Sequence, residues 1–131
     1  MIEVEALSKR YGSSPAVDGL SFTVRPSHVT GVLGPNGAGK PTTMRLMLGL
    51  DRPTAGGCRI LGRPYARHRF PLHQVGALLD AGAVHGGRSA TNHLRSLAQA
   101  SGVAPTRVRD VLEPVGLDGV ARRRVRGFPS P

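Results

Sequence analysis

Nine consecutive residues limit this chain more than any other feature: Gly34, Pro35, Asn36, Gly37, Ala38, Gly39, Lys40, Pro41 and Thr42. Their glycine and lysine spacing is that of the G-x-x-x-x-G-K-[ST] loop, in which main-chain N–H groups cradle phosphate oxygens and the lysine reaches the terminal phosphates. Gly34, Gly39 and Lys40 fit. In that pattern the residue after the lysine supplies a hydroxyl to Mg²⁺. Pro41 has neither a hydroxyl to hold a metal nor an N–H to give an anion, so one metal ligand and one phosphate donor are lost together. Its ring also biases Lys40 away from helical dihedral angles, although proline itself is tolerated in a first helical turn. Thr42 and Thr43 bring hydroxyls nearby, and Thr42 is one residue out of phase for the metal.

Such a loop works only between a strand and a helix. Val29 to Leu33 is an apolar, β-branched run that predicts the strand, and Met44, Met47 and Leu48 at i, i+3 and i+4 predict a helix with one apolar face. A helix starting at the loop aims free N–H groups and its positive dipole end at an anion. Ile2 to Leu7 and Leu20 to Val24 alternate as half-buried strands of an antiparallel subdomain, and Arg59 to Gly62 and Val75 to Asp80 add short strands. Ser89 is placed to cap a helix bearing Ala90, Leu94, Leu97 and Ala98 on one face. A second helix from Thr106 carries Val108, Val111, Leu112 and Val115 and is ended or bent by Pro114.

Composition narrows the classes. The formal charge is +10 and sixteen of the 18 basic residues are arginine, but the excess is spread along the chain. Without a zinc-finger or RNP-like string, and with five aromatic residues to stack on bases, specific nucleic-acid reading is not expected. Attraction to polyanions at low salt is. The single cysteine, Cys58, excludes an intrachain disulfide and fits a reducing compartment. The histidines have no zinc-site spacing, no G-x-S-x-G elbow occurs, and no apolar run approaches the ~18 residues of a membrane span. The acidic, alternating N-terminus does not read as a signal peptide.

Around the loop, Ala16-Val17-Asp18-Gly19-Leu20-Ser21-Phe22-Thr23-Val24 and Leu50-Asp51-Arg52-Pro53-Thr54-Ala55-Gly56-Gly57 resemble the text of ATP-binding subunits of ABC transporters, from Met1 almost to the C-terminus. The stretches 75–80 and 86–94 are most similar to subunits paired with drug-exporter-type permeases. The resemblance implies an α/β fold: a P-loop NTPase core with an N-terminal antiparallel β subdomain over 1–88 and the start of a helical subdomain over 89–131. It implies ATP and Mg²⁺ as ligands, with Tyr11 against adenine and Val17 and residues 34–43 around the nucleotide, Thr42 at the α-phosphate. A membrane permease and a second ATP-binding subunit are the implied partners, at the cytoplasmic face of the membrane.

Two departures go with it. Asp80 stands where the family commonly has a metal- and water-sensing glutamine, and Gly127-Phe128-Pro129-Ser130-Pro131 falls where the signature segment would begin. The expectation is therefore a shortened copy with impaired ATP and Mg²⁺ binding that does not turn over ATP alone. A nucleotide-responsive module pairing with an intact subunit is the alternative, and a basic nucleic-acid-associated protein a third.

Overall fold

The computed structural model describes residues 1–34, 39–79 and 86–123. Contacts divide the chain into two units, Met1–Gln74 and the residues from Val75 onward. The first is built on a sheet of order β2-β1-β3, where β1 is Ile2–Tyr11, β2 is Ser14–Val24 and β3 is Ala55–Ile60. Both pairings are antiparallel. The hairpin is thus longer than the alternation predicts, and the third strand lies earlier, because Leu61 and Gly62 form the turn that follows it.

A break in period explains the hairpin's shape. Val4 and Leu7 are both buried yet three apart, which simple alternation forbids. An extra residue in β1 resolves it: Val4 pairs with Phe22 and Leu7 with Leu20, so three steps on β1 face two on β2. Ala6 takes up the bulge at φ 45°, and its displaced N–H donates to Ser21 Oγ at 2.8 Å. A compensating bulge in β2 lies between Leu20 and Val17, where Gly19 N–H donates to Ser8 Oγ at 2.8 Å. Two serine hydroxyls therefore satisfy main-chain groups that the ladder leaves out. Across the sheet, Gly56 at φ 71° lies so close to the bulge that a Cβ there would sit 2.1 Å from the Ala6 carbonyl oxygen.

Helix α1, Lys40–Met47, packs Leu46 against Val4, Leu7 and Val17, with Ile2, Leu20, Phe22, Met47 and Cys58 around them. Its buried stripe is Thr43 and Leu46, and Met44 is exposed, so the face differs from the Met44, Met47, Leu48 set. Adjacent i, i+3, i+4 stripes overlap on a helix, and the sheet selected the one carrying the branched Leu46.

The strand expected over 29–33 is not formed. Residues 28–34 have no ladder, and Val29 and Leu33 are 104% and 96% exposed. Residues 75–79 likewise pair with no strand, and Leu78 is exposed. A β run acquires regular structure only from a neighbour that takes its N–H and C=O groups, and neither run has one among the described residues.

After a short turn of helix at Pro71–Gln74 (α2), the second unit holds α3, Ala90–Ser101, and α4, Arg107–Leu112. Ser89 caps α3 as expected, its Oγ accepting from Asn92 N–H at 3.2 Å. Gly102 ends it in the left-handed conformation. Ala90, Val108 and Leu112 form the core, with Leu94, Leu117 and Ala121 against it. Leu97, Val111 and Val115 lie exposed instead of on that face. Helix α4 stops at Leu112, two residues before Pro114.

Candidate nucleotide-binding site

The site is assembled at the first turn of α1. Gly39 caps it at φ 84°, ψ 13°, left-handed backbone that favours glycine. A Cβ there would lie 2.2 Å from the Ala16 carbonyl oxygen and 3.1 Å from Val17 Cγ2. Space and dihedral angle thus both require glycine. The same contact places Val17 beneath the loop as part of the core, 7% exposed, under the turn that carries the functional groups.

Pro41 is the second residue of α1, and the helix still begins at Lys40. The first four N–H groups of a helix have no acceptor within it, so the missing N–H costs the helix nothing. Those orphan donors are what an anion uses, and here one is gone. The Thr43 N–H and hydroxyl both donate to the Gly39 carbonyl at 2.8 Å, and Thr43 is buried. Lys40 Nζ donates to the Gly34 carbonyl, so the ammonium joins the two ends of the loop. No acidic residue stands in the first turn of α1 to compete for the helix dipole. Pro35, Asn36, Gly37 and Ala38 lie outside the described residues, as does Asp80.

Tyr11, at the end of β1, is held by residues that motif reading passed over. Its hydroxyl donates to Asp51 Oδ2 at 3.1 Å. Arg45 on α1 grips the same carboxylate, Nε to Oδ2 at 2.9 Å and Nη2 to Oδ1 at 3.4 Å. The Lys9 ammonium sits 5.1 Å from the ring centroid and donates to the Arg52 carbonyl at 2.7 Å. Reduced hydration and the Asp51 carboxylate raise the phenol above its ordinary range, while Arg45 and the nearby Thr42 hydroxyl oppose them. The Arg45 hydrogen bond, assisted by Tyr11 and by the charges of Arg45 and Lys9, holds Asp51 below the usual carboxylate range. Arg45 and Asp51 are six residues apart, a separation that helix periodicity does not pair, so the clue in the sequence was only the turn Leu50 to Gly57 itself.

Among the described residues no three His, Cys, Asp or Glu side chains gather as a metal site, and no helix is long and apolar enough to cross a membrane. His68 Nε2 lies 2.6 Å from the Ile60 carbonyl oxygen, a structural contact of the first unit.

A family profile described as ABC transporter matches residues 17–130. The chain belongs to that family. It is 33% identical over 130 residues to the bacitracin transport ATP-binding protein BcrA of Bacillus licheniformis, covering 98% of this chain and 42% of that protein. It is 47% identical over 78 residues to Nod factor export ATP-binding protein I of Paraburkholderia xenovorans, covering 59% of this chain and 26% of the relative. Among solved structures, an ATP-binding subunit of an ABC transporter superposes with TM-score 0.78 at 24% identity, over 98% of this chain and 56% of that one. The cbiO1 protein of Clostridium perfringens, part of the ABC transporter complex cbiONQ, does so with TM-score 0.74 at 18% identity, over 98% and 55%. These superpositions establish the α/β fold. The chain spans about half the length of these solved neighbours and less than half of these two curated relatives.

Proposed function

We propose that this chain is the nucleotide-gripping part of an ABC-type ATP-binding subunit, with residues 1–88 as its core and 89 onward as the start of its helical subdomain. The observation that carries this is the first turn of α1: Gly39 is locked against β2, Lys40 is at the helix start, and no acidic residue stands in that turn. Gly34, Gly39 and Lys40 hold the phosphates together with the loop residues 35–38, and Thr42 lies at the α-phosphate. Tyr11, 52% exposed, offers its ring to adenine. To bind, Lys40 exchanges the Gly34 carbonyl for a phosphate oxygen, a charge-assisted bond that is stronger than the neutral one it replaces.

Magnesium fits this site poorly. Bound Mg²⁺ would neutralise the terminal phosphates, but position 41 has no oxygen, the Thr43 hydroxyl is already committed to Gly39, and Thr42 is one residue out of phase for the metal. One lost hydrogen bond to a charged group costs about 1.5–3 kcal/mol. That corresponds to roughly one to two decades of affinity. The chain therefore binds ATP weakly, with little help from Mg²⁺, and does not hydrolyse it alone, since water attack needs metal, water-orienting and γ-phosphate donors together. In the assembled state it sits at the cytoplasmic face, against a permease and a second ATP-binding subunit.

Titration calorimetry of the full chain with ATP tests the reading. A weak signal lost in Lys40→Ala, with no phosphate release above background, is expected. Binding indifferent to Lys40→Ala refutes the phosphate assignment, and hydrolysis abolished by the same change refutes the inactivity.

A further inference from the structure

The cluster at the end of β1 shows how a base platform is kept in place. Tyr11 alone on a strand end would rotate about two side-chain bonds, but here three groups restrict it. Its hydroxyl is tied to Asp51, the turn that carries Asp51 is tied to Lys9 through the Arg52 carbonyl, and Arg45 fastens Asp51 to α1. Lys9 stands over one side of the ring, and Tyr11 is still half exposed. Arg45 and Lys40 belong to the same helix, so the ring and the phosphate-gripping lysine share one rigid element.

Resting on the phosphate reading above, we propose that Asp51, clamped by Arg45, is a positioning residue that sets the Tyr11 ring relative to the start of α1. It thereby gives the site its preference for nucleoside triphosphates over base-free polyphosphate. The Asp51 carboxylate touches no ligand in this role. Its effect passes entirely through the phenol, so removing the phenolic O–H alone must reproduce the effect of removing the carboxylate.

Two measurements on the full chain test this. The chain has two tyrosines, Tyr11 and Tyr65, and no tryptophan, so phenolate absorbance reports them without interference. Wild type is expected to show a late step for Tyr11 that moves to lower pH in Asp51→Ala; an unmoved step overturns the tether. Calorimetry with ATP and with inorganic tripolyphosphate then separates base from phosphate. An aromatic contact worth about 0.5–1.5 kcal/mol sets the range, roughly 2- to 13-fold. Tyr11→Ala is expected at the top of it, and Asp51→Ala and Tyr11→Phe at about 3-fold weaker ATP binding, with tripolyphosphate unchanged in all three.

Equal loss of both ligands in Asp51→Ala, or unchanged ATP affinity in both Asp51→Ala and Tyr11→Phe, overturns the positioning role and leaves the phosphate reading standing. Lys40→Ala distinguishes the other failure: it should weaken both ligands, and if it weakens neither, the phosphate reading falls and this inference with it. If Asp51→Ala does not fold, Tyr11→Phe still decides.

Discussion

Pro41 separates what a helix needs from what a ligand needs. Helix α1 loses nothing by it, because the N–H it lacks has no acceptor within the helix. Under the proposed function the cost falls on anion and metal. Pro41→Ser is accordingly expected to tighten ATP binding by about one to two decades and to make it Mg²⁺-dependent, measured by calorimetry with and without EDTA.

Gly39 is the opposite case, a residue set by its surroundings. Gly39→Ala forces a side chain into left-handed backbone and into the Ala16 carbonyl oxygen, so a loss of more than about 2 kcal/mol is expected from the urea unfolding midpoint. A loss below about 1 kcal/mol would mean that β2 does not press on the turn as described.

The elements show where reading stops being local. The start of helix α3 was legible because its cap is encoded in a single residue, Ser89. Ser89→Ala is expected to cost about 1 kcal/mol, read as a lower thermal midpoint of the 222 nm circular dichroism signal. Which stripe of α1 turns inward was not legible, and that of α4 was legible only in part, since Val108 and Leu112 are buried as expected but Val111 and Val115 are not. Met44 and Val111 fit the period as well as Leu46 and Val108 do, and the choice was made by what each helix packs against. The β1 bulge belongs to the same class: Val4 and Leu7 carry opposite parity, a signal present in the sequence but interpretable only once the partners Phe22 and Leu20 are known. The runs at 29–33 and 75–79 mark the limit, since apolar, β-branched composition does not make a strand without a neighbour.

For the chain as a whole, the tether among Tyr11, Asp51 and Arg45 joins β1, α1 and the turn that leads to β3, and it titrates at both ends. Asp51 is depressed in the folded state, so its contribution is present above the ordinary carboxylate range near ~3.9 and is lost as pH falls through its lower folded value. Tyr11 is raised, so the contribution of its protonated phenol is complete below ~10 and is lost as pH rises through its higher folded value. Urea midpoints of wild type and Asp51→Ala should therefore differ between about pH 5 and 9 and converge towards pH 2. A constant gap down to pH 2 would exclude the carboxylate as its source.

The letters of the chain alone decided the family, the cap of α3, the glycine and lysine spacing of residues 34–40 and the lack of a hydroxyl and an N–H at position 41, because each is carried by a residue's own chemistry or by spacing along the chain. Folding decided that Val17 supports the loop from below, that Asp51 and Arg45 hold Tyr11, and which helical stripe is buried. Those depend on contacts between residues far apart in the chain, and side-chain type does not specify a distant partner until packing brings the two together.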